Sequence, residues 1–393
     1  MTNIWSNNKY IEILINIMLF LLGINFMHLG QLFLPLICLL LFIDRKFKFK
    51  VNNIKIFIIL CLFSISFFIF SYKLGFYAVM GFTLPMAYYI GSNMNEVSQK
   101  NVKYVIYILA LSTATYLLLN FAFELTQYPL VNLFGKVRRY DIWTRELIRP
   151  TIISVNAYLL ISIFYYVIRY EEKNFIKIIS ILLFINVVIY NIALSRRTII
   201  LVILLSLFLS LILDIFFTKK IALDKKLVKL ALITASVFII IFIVIVNFDL
   251  FGIWTIFKNT GLYNKIIGYG LKSDRLDYLV QAIRLAPAHL WGGQEISSII
   301  GIQIHDLWSD VYDYAGIITW LLLIIYSITC LFTFVLCLKN EKIDKNLKLM
   351  FINLFVVIFI SLMMEPAFTG TSIYVIVVVV LFSCLEKLKI SAS

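Results

Sequence analysis

Twelve apolar runs, most of about 17–22 residues, recur along this 393-residue chain, each close to the length a helix needs to cross a bilayer. They lie near residues 10–27, 29–43, 56–72, 74–92, 104–124, 150–168, 175–194, 198–217, 228–247, 314–337, 349–364 and 370–385. The chain is 62% hydrophobic and 14% charged, with a mean hydropathy of +0.97. No soluble domain of this length hides that much apolar surface, so the expected fold is an all-α polytopic membrane protein with about twelve spans. Two long connections, 125–149 and 248–313, divide it into a five-span region (1–124), a four-span region (150–247) and a three-span region (314–393). The apolar start of the chain carries no small-residue cleavage site and reads as a retained first span. The five cysteines all fall in apolar runs without a CxxC pair, which supports neither a disulfide frame nor a thiolate metal site.

A net charge of +14 would suggest nucleic acid in a soluble protein, but here it divides between two sides of a membrane. The connections alternate in character. "DRKFKFKVNNIK", "NEVSQKNVK", "RYEEKNFIK", "TKKIALDKK" and "KNEKIDKNLK" are short and lysine-rich, and the positive-inside rule places them, with both termini, in the cytoplasm. On that map 20 of 25 lysines are internal, whereas 8 of 10 arginines are external. These are Arg138, Arg139, Arg145, Arg149, Arg196, Arg197, Arg275 and Arg284.

Lysines set the orientation and the external arginines oppose it. Guanidinium presents a planar fork of donors that matches phosphate bidentately, whereas lysine is a point charge. An arginine-lined outer face therefore points to a phosphate-bearing, lipid-linked anion, against the plainer reading that each arginine snorkels to lipid headgroups. In the loop 125–149, Arg145 and Arg149 are four apart and would share a face on a helical approach to the membrane. Asp141 and Glu146 are available there as ion-pair partners for the arginines. Pro150 suits the start of span six.

The loop 248–313 is long enough to form its own cap. Within it a helix is expected, with Ser273 as N-cap, Asp274 and Asp277 in the first turn and Pro287 at its end. Leu276, Leu279, Val280 and Ile283 would form its apolar stripe, with Asp277, Gln281 and Arg284 on the other side. His305 follows at the outer membrane edge and, with an ordinary pKa near about 6.5, is the candidate general base. Glu365 is the alternative base. Asp306, Asp310 and Asp313 share one helical face, either as a solvated surface or as a divalent-cation site. His28 and His289 carry no supporting constellation in the sequence.

An external "LSR" turn entering a span, a long outer loop with "R…L…A" and "GG", and a histidine followed by "YAGIITWLLL" resemble the O-antigen ligase and O-antigen polymerase superfamily over roughly residues 145–325. The resemblance implies a metal-independent, cofactor-free, inverting glycosyltransferase of the bacterial inner membrane with its active face in the periplasm. Its donor would be a glycan on undecaprenyl pyrophosphate and its acceptor a lipid-linked oligosaccharide. Membrane lipids and a chain-length regulator would be its other partners, with no role for nucleic acid. By position, Arg196 matches the family's turn arginine, Arg275 its loop arginine and His305 its catalytic histidine, with Arg149 and Arg197 as secondary phosphate ligands. Arg145, Arg284, Glu365 and Asp306 are the further candidates. Ligases usually read "SRG" and "HN" where this chain has "SRR" and "HD", which favours a polymerase over a ligase. A lipid-linked oligosaccharide flippase is the rival from another class. Transporters place charges near the midplane and often show repeated halves, whereas the charges here sit at span ends.

Overall fold

The computed structural model describes residues 4–71, 80–93, 99–128, 139–148, 174–194, 275–302, 304, 306–364 and 372–392, with isolated positions 167, 202, 205, 208, 258 and 263. The described chain is predominantly helical. In order it forms α1 (Lys9–Gly23), α2 (Phe33–Asp44), α3 (Ile54–Phe70), α4 (Thr83–Ser92) and α5 (Gln99–Gln127). A minimal hairpin follows, β1 (Arg139–Tyr140) and β2 (Leu147–Ile148), and then α6 (Asn174–Ala193). The remainder is α7 (Arg275–Leu285), α8 (Glu295–Ile300), α9 (Leu307–Lys339), α10 (Lys345–Met364) and α11 (Ser372–Ala392).

Four stretches are long and apolar enough to cross a membrane: Asn101–Gln127, Asn174–Ala193, Leu307–Lys339 and Lys345–Met363. Helix α3 matches its apolar run at 17 residues, whereas α1 and α2, at 15 and 12 residues, are shorter than the runs that announce them. The turn between α1 and α2 shows why. Its sequence, "INFMHLGQL", is as apolar as a span, yet Asn25, Met27 and His28 adopt left-handed backbone (φ 47°, 52° and 59°), which no α-helix can continue through. Expected spans 150–168, 198–217 and 228–247 lie almost wholly outside the described residues.

The lysine-rich segments that are described gather at one end of the bundle. Arg45 donates to Asn93 O (3.0 Å), Asn93 Nδ2 to Lys50 O (3.0 Å), and Lys387 to Ser92 O (3.0 Å), while Lys103 pairs with Asp344 (3.8 Å). The 24–32 turn, the 139–148 hairpin and the 290–294 loop lie at the other end, beyond the far termini of α1 and α3. Among the described residues, these connections and the lysine-rich segments thus lie at opposite ends.

Helix α9 is broken at Gly316 (φ 75°, ψ −175°). An unbroken helix of 33 residues would be about 50 Å long, well beyond a bilayer's hydrocarbon core. Instead Trp308 Nε1 donates to Ser327 Oγ at 3.2 Å, although 19 residues of straight helix would hold them about 28 Å apart. The 307–315 limb thus folds back along the 317–339 limb, and the second limb corresponds to the expected span 314–337. Ser66 of α3 and Thr319 just past the break share a buried hydrogen bond of 2.6 Å.

Candidate functional site

The hairpin is held by one carboxylate. Asp141, fully buried, accepts from the Trp143 and Thr144 backbone N–H groups (2.8 and 3.2 Å), which makes the tight turn its side chain favours. The same carboxylate accepts the Tyr116 hydroxyl from α5 at 2.5 Å and His28 Nε2 from the α1–α2 turn at 2.9 Å. Burial pushes the Asp141 carboxyl up, but the His28 and Tyr116 hydrogen bonds and the Trp143 N–H outweigh it and hold it below the ordinary carboxylate range. A proton on His28 Nε2 fits this arrangement, leaving Nδ1 to accept from Asn25 Nδ2 at 3.3 Å. Trp143 adds a bond from Nε1 to Ile24 O (3.2 Å) and an edge contact with Phe26. Asn120 accepts the Ile142 N–H at 3.1 Å.

This corrects two readings of the sequence. Asp141 is partnered by His28, a residue that looked unsupported, rather than by an arginine, and Glu146 is exposed at the surface. Residues 139–148 also form no helix. Arg139 pairs with Ile148 and Tyr140 with Leu147 across an antiparallel ladder, and Arg145 sits in the turn at φ 58°. The Asx turn at Asp141 was the local signal for this hairpin; the approach of His28 had none.

The arginines expected on the outer side separate into two kinds. Arg139 is 1% exposed, faces Glu124 at 3.5 Å and donates to Ala193 O at the end of α6. Burial pulls its guanidinium below the ordinary value and Glu124 opposes that shift. It is a structural cation. Arg145 and Arg284 are exposed, and neither has a carboxylate partner among the described residues. Arg275 opens α7. Arg138, Arg149, Arg196, Arg197, His305 and Glu365 lie outside the described residues.

A second junction forms where the 290–294 loop meets the break in α9. Gly293 N donates to Tyr314 O (3.0 Å), Gln294 N to Asp313 O (2.8 Å) and Ile317 N to Leu290 O (2.9 Å). Helix α7 and the Ala286–Ala288 turn around Pro287 match expectation, but the buried face does not. Ala282 is buried, whereas Val280 and Ile283 of the expected stripe are exposed. Ser273 and Asp274 lie outside the described residues.

The acidic row is not a solvated face, because all three members are buried, and its carboxylates are not grouped to hold a cation. Asp306 caps α9 by accepting Ser309 N at 2.8 Å. Asp313 accepts Ile296 N (3.0 Å), Ser297 N (3.2 Å) and Ser297 Oγ, anchoring the start of α8. His289, like His28, proves to have a partner, Glu295 at 2.6 Å. Among the described residues no group of three or more His, Cys, Asp or Glu is arranged to hold a metal ion. A cavity of about 490 Å³ runs between α9, α10 and α11, lined by apolar side chains that include Leu84, Trp308, Phe334, Phe359 and Leu385.

No protein-family model matches this chain. A search of curated proteins finds no match either.

Proposed function

We propose that this chain is a membrane glycosyltransferase of the O-antigen polymerase type, moving a glycan from undecaprenyl pyrophosphate to a hydroxyl of a lipid-linked repeat unit. The observation that carries the reading is the state of its outer arginines. Asp141 of the hairpin is engaged by His28 and Tyr116, Glu146 is exposed, and Arg145 and Arg284 are exposed without an acidic partner among the described residues. Cations held at the end away from the lysine-rich loops, and not neutralised, suit a phosphate-bearing substrate better than orientation signals. The apolar cavity beside Trp308 has the lining an isoprenoid chain needs.

In this mechanism Arg196 and Arg275 clamp the pyrophosphate, with Arg149, Arg197, Arg145 and Arg284 around them. Fixed guanidinium groups stabilise the charge that develops on the leaving group. His305 takes the proton from the acceptor hydroxyl as its oxygen bonds to the anomeric carbon, with Glu365 the alternative base. The bond from that carbon to the pyrophosphate oxygen breaks, its electrons leave with the lipid pyrophosphate, and the anomeric configuration inverts. In bilayer terms the reading places about twelve spans in the bacterial inner membrane, with this face in the periplasm.

A lipopolysaccharide gel of a strain lacking the gene, beside its complemented parent, tests the reading. A ladder reduced to core carrying one repeat unit is the expected result. Bare core with polymer accumulating on the lipid carrier would assign a ligase, and an unchanged ladder would overturn both. Within the complemented strain, His305→Ala should abolish the ladder. Arg196→Lys, which keeps charge but loses the fork, should weaken it severely.

A further inference from the structure

The loop "RKFKFKVNNIK" (residues 45–55) at the lysine-rich end is built more firmly than a topology signal requires. It contains five cations and no acid. Asn93, at the end of α4, grips it from two sides, accepting from Arg45 on its carbonyl and donating to Lys50 O. Asn52 Nδ2 donates to Ser383 O of α11 at 2.9 Å. Phe49 stacks on Tyr89 at 5.1 Å and meets Phe57 edge-on. Lys46 and Phe47 both adopt left-handed backbone (φ 53° and 62°), a costly conformation for residues with side chains.

This frame presents an alternating surface. Lys46, Lys48 and Lys50 are exposed, with no carboxylate partner among the described residues, and between them Phe47 and Phe49 are 68% and 54% exposed. The nearest acid in the chain, Asp44, accepts from Ser6 Oγ at 2.6 Å. Lys387 of α11 comes to the same place and donates to Ser92 O at 3.0 Å. Burial first, then repulsion from Arg45 and Lys50, pulls the Lys387 ammonium down to about 8, a sign that positive charge is in excess there.

We infer that this loop is a binding site for the headgroup phosphate of an anionic phospholipid in the adjoining leaflet. Lys46, Lys48 and Lys50 would face the headgroup and Phe47 would lie among the acyl chains. Lysine heads in water beside aromatic rings at the hydrocarbon edge are the arrangement an interface selects, and a basic segment next to a span attracts anionic lipid. A soluble phosphate would use the lysines but leave the outward surface of Phe47, which touches only Phe42 edge-on among the described aromatic rings, turned to water, which favours the lipid. The inference is independent of the glycosyltransferase reading.

The test is the thermal unfolding midpoint of the full chain in detergent micelles, titrated with phosphatidylglycerol, phosphatidylcholine or inorganic phosphate. Phosphatidylglycerol should raise the midpoint by about 3 °C or more at saturation, while the other two should not. The gain should shrink as salt rises from 0.1 to 1 M and the screening length falls from about 10 to about 3 Å. Replacing Lys46, Lys48 and Lys50 together by Gln should weaken the phosphatidylglycerol response roughly a hundred-fold in concentration, whereas Lys9→Gln with Lys177→Gln, at the same end, should not. If the triple variant does not fold, the single Lys48→Gln change should still give a several-fold shift. Equal protection by phosphatidylcholine, equal protection by inorganic phosphate, or an unaltered response in the lysine variants would each overturn the site.

Discussion

Replacing Asp141 by Ala removes the acceptor shared by four donors on three separate segments. The backbone N–H groups of Trp143 and Thr144 lie near the surface and can turn to water. The Tyr116 hydroxyl cannot, because Tyr116 is 1% exposed, and His28 loses the group that orients it. A buried donor left unsatisfied costs about 1–3 kcal/mol, and each hydrogen bond lost to an ionised carboxylate about 1.5–3. The expected loss is therefore about 3–5 kcal/mol, or a fall of roughly 5–10 °C in unfolding midpoint. Tryptophan fluorescence of the detergent-solubilised chain would follow it, since Trp143 sits on the affected turn. His28→Ala combined with Asp141→Ala should cost less than the two single changes summed, by about 1–3 kcal/mol. A loss below about 1 kcal/mol, or strict additivity, would refute the hub. The acid response follows from the same contacts. With Asp141 held below its unfolded value of about 3.9, its contribution is complete above that pH and is lost as pH falls through the lower folded value. Asp141→Asn should therefore flatten stability against pH below about 4.

Two further outcomes are expected. A methyl group on Gly292 would lie 2.6 Å from Tyr314 O and 2.7 Å from Ala315 N, both backbone, whereas one on Gly293 meets nothing within 4 Å. Gly293→Ala should cost only the left-handed penalty of about 1 kcal/mol, and Gly292→Ala at least about 2 kcal/mol more by thermal unfolding; equal effects would refute the loop-to-break junction. Arg145→Gln and Arg284→Gln remove exposed groups, so their midpoints should stay within about 2 °C of wild type while the KM for a lipid-linked donor rises. An unchanged KM would remove both from the substrate site.

The reach of local reasoning shows in particular elements. The end of α7 at Pro287 and the second limb of α9 were legible because proline and hydropathy act within a few residues. The N-cap role of Asp306, set by Ser309 three positions on, is local too, although the sequence pattern places Asp306 in an acidic row. The face that α7 buries was not legible. A stripe of Leu, Val and Ile predicts burial only if something packs there, and the cluster of Ala282, Ile296 and Ile304 packs elsewhere. The fold-back at Gly316 was invisible as well, since glycine within an apolar run is common in membrane helices and permits a break without requiring one.

Composition and hydropathy by themselves pointed to a helical membrane protein, and gave the expectation that its lysines gather on one side and its arginines do not follow them. Those properties depend on transfer free energy and charge, which add along the chain whatever its contacts. Tertiary structure alone decided which polar groups meet. His28 and Asp141 are 113 residues apart, Arg139 and Ala193 are 54 apart, and Asn52 and Ser383 are 331 apart. Each of these bonds exists because packed helices bring a donor within about 3 Å of an acceptor, a distance that sequence separation does not encode.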